Sequence, residues 1–256
     1  IFHGNRSFRR LLPFIRCSTI LFHQSFDWIP HGHRIRFNEP THGMQKRLAV
    51  LEKIGTSPDG MQMEIFLDAT DHAKTTKYLN QIRVSPGDYI YLNIGASLDH
   101  KRWPMERLIE LAKIILKNTL MKIILGGGPE DKERSKYIKN HLDSSRIAEA
   151  CGQPIRANAD LIAQARLMVT TDTGPMHIAF AMKTPTVALF GPTRAVESGP
   201  YEIPETLYRV IESTRGGTTP PEGNESIDYY FAPITVEMVW RQIKELLATH
   251  VNVRSS

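Results

Sequence analysis

A chain of 256 residues with 41% apolar and 23% charged side chains is long enough to bury one large core or two modest ones, and that balance excludes an intrinsically disordered class. Lys and Arg number 32 against 27 Asp and Glu, a formal charge of +5 that favours anionic partners. Two cysteines, Cys17 and Cys151, are too few for a disulfide framework or a zinc cluster and fit a reducing, cytoplasmic setting, and no apolar run approaches the roughly 18 residues a membrane-spanning helix needs.

Residues 1–38 carry six arginines against one acid, Asp27. Phe8, Leu11, Leu12 and Ile15 recur there at helical spacing, which reads either as a basic amphipathic helix docking on an anionic membrane or as a surface helix packing on a core. A second helix is expected from about Thr41 to Ile54, stopped by Gly55. Met61 to Leu67 alternates like a strand, Asp71 to Leu79 looks like a capped helix, and Ser85-Pro86-Gly87-Asp88 is a turn cluster. The domain boundary is expected there, giving domains 1–86 and 87–256.

From Tyr89 onward the pattern is regular. Strands are expected at Tyr89–Ile94, Met121–Leu125, Arg146–Ala150, Leu167–Thr170 and Thr186–Phe190. Helices are expected between them at Pro104–Leu116, Pro129–Leu142, Asn158–Ala165 and Gly174–Met182, with a closing helix from about Val236 to Ala248. Strands alternating with helices over short loops mean βαβ units and a parallel sheet, and ligands of such sheets bind at the carboxyl ends of the strands.

Four loops leave those ends, and each carries groups suited to a nucleotide. Gly95-Ala96-Ser97 leads to Lys101-Arg102-Trp103-Pro104, where a lysine can place a point charge on a pyrophosphate and Ser97 can donate a hydrogen bond; Lys101 reads equally as a solvated loop lysine. Gly126-Gly127-Gly128-Pro129-Glu130 opens a helix, and Glu130 can accept from ribose hydroxyls or simply complement the helix dipole. The spacing is not G-x-G-x-x-G, so the dehydrogenase fingerprint is absent. Asp172-Thr173-Gly174-Pro175-Met176-His177 follows an apolar strand. Asp172 or Thr173 can cap the helix, Pro175 suits its first turn, and the amides there attract an anion that His177 can also reach. The same six residues also suit an ordinary capped helix. Phe190-Gly191-Pro192-Thr193 supplies the fourth turn.

In this order and spacing, Gly95 to Ser97, Lys101 to Pro104, Gly126 to Glu130, Asp172 to His177 and Phe190 to Thr193 resemble the glycosyltransferase family 9 proteins, the ADP-heptose:lipopolysaccharide heptosyltransferases of Gram-negative bacteria. The resemblance is clear over about residues 87 to 202, and the Asp-Thr-Gly-Pro-Met-His block is its most specific element. It implies an α/β fold of GT-B type: two Rossmann-like domains with parallel sheets, the C-terminal one binding the ADP-sugar. Carried over motif by motif, Lys101 binds the donor phosphates and stabilises their charge, with Ser97 nearby. Glu130 holds the ribose, Asp172, Thr173, Gly174 and His177 form the phosphate and sugar end of the site, and Gly127 and Pro175 are further donor-binding positions. The implied reaction moves heptose from ADP-heptose to the inner core of lipopolysaccharide, inverting and without a metal. The ADP-sugar is a substrate, so no cofactor is implied. The setting is cytoplasmic, with peripheral contact at the inner membrane. No Asp-x-Asp metal motif was found among the motif-bearing loops, and the Arg-rich start lacks the interleaved aromatics of a nucleic-acid site.

Two departures from the family pattern matter. The family opens with a strand and a glycine-containing loop bearing the acceptor-side carboxylate base, whereas Ile1-Phe2-His3-Gly4-Asn5-Arg6-Ser7 looks like a turn midway through the first domain. An incomplete N-terminal domain is therefore expected, with the base unassigned; Asp27, Glu39 and Asp68 are the acids nearest turns. Thr214 to Glu225 also lacks the cysteine pair of many relatives. The alternatives are a catalytically incomplete nucleotide-sugar-binding fragment, or a transferase using another nucleotide sugar.

Overall fold

A computed structural model describes residues 35, 37, 40–58, 60–142, 144–220 and 227–251 of the chain. They fall into two units, one of residues 1–61 with 196–201 and one of 62–195 with 202–256. The expected basic helix at Phe8–Ile15 and the expected turn at residues 1–7 lie outside the described residues.

In the first unit, helix α1 spans Gly43–Lys53. His42 starts it: its ring Nδ1 accepts from the Met44 amide at 3.1 Å, Gln45 Oε1 accepts from the His42 amide at 3.3 Å, and its Nε2 meets the Gly199 carbonyl at 3.0 Å. Those two ring contacts define the neutral tautomer protonated at Nε2, and burial holds the His42 pKa below its ordinary value.

The second unit is a six-stranded sheet: β1 Tyr89–Asn93, β2 Lys122–Gly126, β3 Ile147–Glu149, β4 Leu167–Thr171, β5 Thr186–Phe190 and β6 Tyr208–Glu212. All pairs are parallel, in the order β3-β2-β1-β4-β5-β6. The connecting helices are α2 Ala69–Gln81, α3 Met105–Asn118, α4 Lys132–Asn140, α5 Ile155–Ala163 and α6 Gly174–Ala181, followed by α7 Ile227–Phe231 and α8 Val236–Val251.

Every residue of β1, β4 and β5 is buried, because helices cover both faces of the sheet and an uninterrupted apolar strand is stable only there. Successive side chains point to opposite faces. Ile90, Leu92, Leu125 and Val169 therefore pack with Leu108, Leu111 and Ile115 of α3 and Val239, Ile243 and Leu246 of α8. Tyr89, Tyr91, Ile124 and Met168 pack the other way, with Leu79 of α2, Leu161 and Ile162 of α5 and Ala179 of α6. Each such fully buried aliphatic side chain contributes about 1.5–3 kcal/mol.

The chain winds outward from β1 through β2 to β3, then returns to lay β4 on the free side of β1. Strand order reverses between β1 and β4. The loops after those two strands diverge, and the crevice between them is where parallel sheets bind ligands.

Several expectations change. The sheet-bearing unit includes α2, which docks on α5: Leu79 joins the core, Arg156 bonds Asp71, and His72 Nδ1 meets Asp160 Oδ1 at 2.9 Å. Residues 61–67 alternate between half-buried and exposed as expected, yet they form no strand because no neighbour pairs with them. The helix expected from Pro129 is instead a 3-10 turn, Pro129–Asp131, that leads into α4. α5 starts at Ile155, right after Pro154 and ahead of Asn158. β6 and α7 were not anticipated; in β6 only Ile211 is buried, as suits an edge strand.

Candidate functional site

Asn93 closes β1 at the point where strand order reverses. Its Nδ2 donates to the Gly95 carbonyl at 3.0 Å and to Thr170 Oγ1 and Thr173 Oγ1, each at 3.2 Å. Gly95 O can only accept, so it fixes which end of the amide faces it. One buried side chain thus ties the loop after β1 to the loop after β4.

The loop after β1 makes a 3-10 turn at Asp99–Lys101 and aims Lys101 at the same place. Lys101 Nζ lies 2.8 Å from Asp172 Oδ2, and Thr193 Oγ1 donates to that same oxygen at 2.7 Å. The Asp172 side chain is 8% exposed and that of Lys101 22%. Thr173 stands at the N-cap position of α6 but makes no side-chain cap hydrogen bond, against the expectation for it. Asp172 is committed to Lys101 and Thr193, and Thr173 Oγ1 donates to the Thr171 carbonyl at 3.2 Å. Thr173 therefore gives α6 no side-chain cap, and a Cβ added to Gly174 would meet nothing within 4 Å.

Gly126, the last residue of β2, is forced by close approach: a Cβ there would sit 1.7 Å from Tyr91 Oη. Tyr91 is fully buried, and burial pushes its pKa far up, so it stays a neutral donor. It hydrogen-bonds Asn158 Oδ1 and holds that side chain in place.

These loops enclose a cavity of about 420 Å³. Ser97, Gly127, Glu130, Thr173, Gly174 and Pro175, all singled out from the sequence, line it. Lys101, Asp172 and His177 are not among its lining residues. Lys101 and Asp172 form the ion pair beside it, and His177 is half-buried on α6 with its ring 6.4 Å from Phe180. Gln153, Ile155 and Asn158 also line the cavity and went unread, because the helix they introduce was placed three residues late. The readable signal was Cys151-Gly152-Gln153-Pro154, a turn with Gly152 at a φ of +80°. Asp131 and Asn93 were missed as well.

A second hollow of about 120 Å³ lies beside the carboxyl end of α6, among Met63, Phe180, Ile203 and Leu207. Its wall is mainly apolar. Asp68, one of the three acids weighed as a base, caps α2 and pairs with Arg156 at 3.1 Å; Asp27 and Glu39 lie outside the described residues. Among the described residues no group of three or more His, Cys, Asp or Glu is placed to hold a metal ion.

The sequence profile of Glycosyltransferase family 9 (heptosyltransferase) matches residues 24–216, three-quarters of the chain. The chain belongs to glycosyltransferase family 9. Among its relatives, lipooligosaccharide heptosyltransferase 2 of Haemophilus influenzae is 28% identical over 151 residues, covering 58% of this chain and 44% of that protein. The chain spans under half the length of the curated relatives it matches. Of solved structures in this family, the glycosyl transferase family 9 protein of Veillonella parvula superposes with a TM-score of 0.75 at 23% identity, covering 96% of this chain and 72% of that one. The E. coli ADP-heptose lps heptosyltransferase II superposes with a TM-score of 0.60 at 25% identity, covering 75% and 56%. Family 9 membership accords with the parallel sheet and its order. No helix among the described residues is long and apolar enough to cross a membrane.

Proposed function

We propose that the cavity binds ADP-heptose and that this sheet-bearing unit is the donor half of a transferase that passes heptose to the inner core of lipopolysaccharide, with inversion and without a metal. The observation that carries the reading is the convergence, at the β1/β4 crevice, of the α6 helix start with Gly174 open to approach, a lysine and a glycine-lined wall. A helix start attracts phosphate through unmet amides and the positive end of the dipole. An ammonium has three donors. Asp172 takes one at 2.8 Å and its backbone carbonyl has a longer contact at 3.4 Å, so Lys101 retains capacity for a phosphate oxygen. Ile155 and Ile178 offer apolar walls to a base, and Glu130 a carboxylate to ribose hydroxyls.

In the proposed reaction an acceptor hydroxyl attacks the anomeric carbon while the bond to the β-phosphate oxygen breaks and ADP leaves. The growing negative charge on the pyrophosphate falls to Lys101, the Gly174 amide and the positive end of the α6 dipole, groups already oriented before the reaction. The attacking hydroxyl must give its proton to a base, which this reading leaves unassigned. The other half of the reading, the acceptor and contact with the inner membrane, is suggested by family membership and by the positive charge of the chain. A product of retained configuration, or transfer abolished by a chelator, would contradict it.

Calorimetry with ADP and pyrophosphate tests the donor reading through Glu130. Its exposed carboxylate is discounted for solvent, so Glu130→Gln is expected to weaken ADP about 3- to 10-fold and to leave pyrophosphate unchanged. Equal losses for both ligands would return Glu130 to the role of a dipole-complementing acid.

A further inference from the structure

Beside the exposed Glu130 sits a second carboxylate with a different fate. The Asp131 side chain is 2% exposed, lines the cavity, and is wedged between two loops. Its Oδ2 accepts from the Gly128 amide at 2.9 Å, and its Oδ1 lies 3.2 Å from Arg102 Nη2. The fit is close on both sides: a Cβ on Gly95 would come within 2.1 Å of Oδ2, and one on Gly127 within 2.7 Å. Gly95 belongs to the loop after β1 and Gly127 to the loop after β2, so both loops are moulded on one carboxylate.

Arg102 carries the connection onward. It also bonds Asp99 Oδ1, at the head of the turn that ends in Lys101. Lys101 and Arg102 thus reach in two directions, to Asp172 after β4 and to Asp131 after β2. Next to Arg102, Trp103 is packed in the main core, Arg102 Nε and Trp103 Nε1 are buried without a hydrogen-bond partner, and Arg134 bonds the Trp103 carbonyl at 2.8 Å. Arg134 has Arg102 as a like-charged neighbour, and Asp131 offsets that repulsion.

We propose that the Arg102–Asp131 ion pair is a positioning device, holding the Ser97–Lys101 loop in register with the Gly126–Glu130 loop and so setting donor affinity. Asp131 acts through Arg102 and Gly128. Its importance is to ligands that touch both loops at once, which rests on the reading of the cavity as an ADP-sugar site. A ligand using one loop needs no register between them.

The test compares ADP, which spans the two loops, with adenosine and pyrophosphate, which do not, by NMR titration of the whole chain. Asp131→Asn keeps the volume and an acceptor for Gly128 but loses the charge that pairs with Arg102. ADP affinity is expected to fall about tenfold while adenosine and pyrophosphate each change less than about twofold, since the loss is one of coupling between the loops. Gly95→Ala, with Asp131 intact but its carboxylate displaced, gives the same pattern. A general loss of folded protein would weaken all three ligands alike, and that result, or unchanged ADP affinity, overturns the proposal. Hydrogen exchange of residues 95–103 reads the register without any ligand: it rises in both variants, and unchanged exchange overturns the proposal too. If the unmodified chain took adenosine and pyrophosphate but not ADP, the donor reading would fall, while the exchange result would still decide the register.

Discussion

Replacing Lys101 by alanine is expected to weaken ADP binding about 10- to 100-fold, because a charge-assisted phosphate contact contributes about 1.5–3 kcal/mol. The same change removes the ammonium from Asp172, whose side chain is 8% exposed and keeps the Thr193 hydroxyl. A stability loss therefore accompanies the affinity loss, since breaking a buried pair leaves one charge uncompensated. The two effects separate in the double variant Lys101→Ala with Asp172→Asn. It should regain melting temperature and not ADP affinity, as followed by calorimetry on protein verified as folded. Unchanged ADP affinity in the single variant would reduce Lys101 to a structural partner of Asp172.

The second large effect is expected at Gly174, and there stability and binding move in opposite directions. A Cβ at this position meets nothing within 4 Å, and its φ is not in the left-handed region, so Gly174→Ala should fold at least as well as the parent. Ala is favoured over Gly inside a helix by about 1 kcal/mol, less at a first-turn position. Yet the open space is where a phosphate would approach the Gly174 amide at the start of α6, and a methyl group there should lower ADP affinity at least about tenfold. Thermal melting and ADP titration of one variant give both numbers. A variant that binds ADP as tightly as the parent would mean that no ligand uses that approach.

The parallel architecture was legible because its signals are local. The apolar runs at 89–94, 167–170 and 186–190 are short enough for strands and bounded by turn residues, and all three strands are fully buried. The amphipathic spacing of Leu108, Leu111, Ala112 and Ile115 similarly announced α3. What escaped depends on partners distant in the chain. Residues 61–67 carry a strand pattern, but pairing is decided by a neighbour, and no strand among the described residues pairs with them. Edge strand β6 carries Arg209 and Glu212 and so lacked the apolar signature of its neighbours.

The site divides the same way. Glycine turns and the Asp172–His177 block stand out from composition alone, and six of the nine donor-site positions chosen from the sequence line the cavity. Asp172 suits a capping role by its place before a helix, but Lys101, 71 residues earlier, takes its carboxylate. No rule of local spacing reports that exchange. Asp131 and Glu130 are adjacent acids in the same first turn, and only the packing of Gly95 and Gly127 against Asp131 separates a buried clamp from an exposed carboxylate.

Hydrogen exchange along the chain, with and without saturating ADP, tests the central claim that the β1/β4 crevice is a nucleotide site. The account predicts slowed amides in residues 93–98, 126–131, 153–158 and 173–178, with residues 62–67 and 203–207 around the apolar hollow unchanged. Slowing centred on that hollow, or no slowing at any ADP concentration, would contradict it.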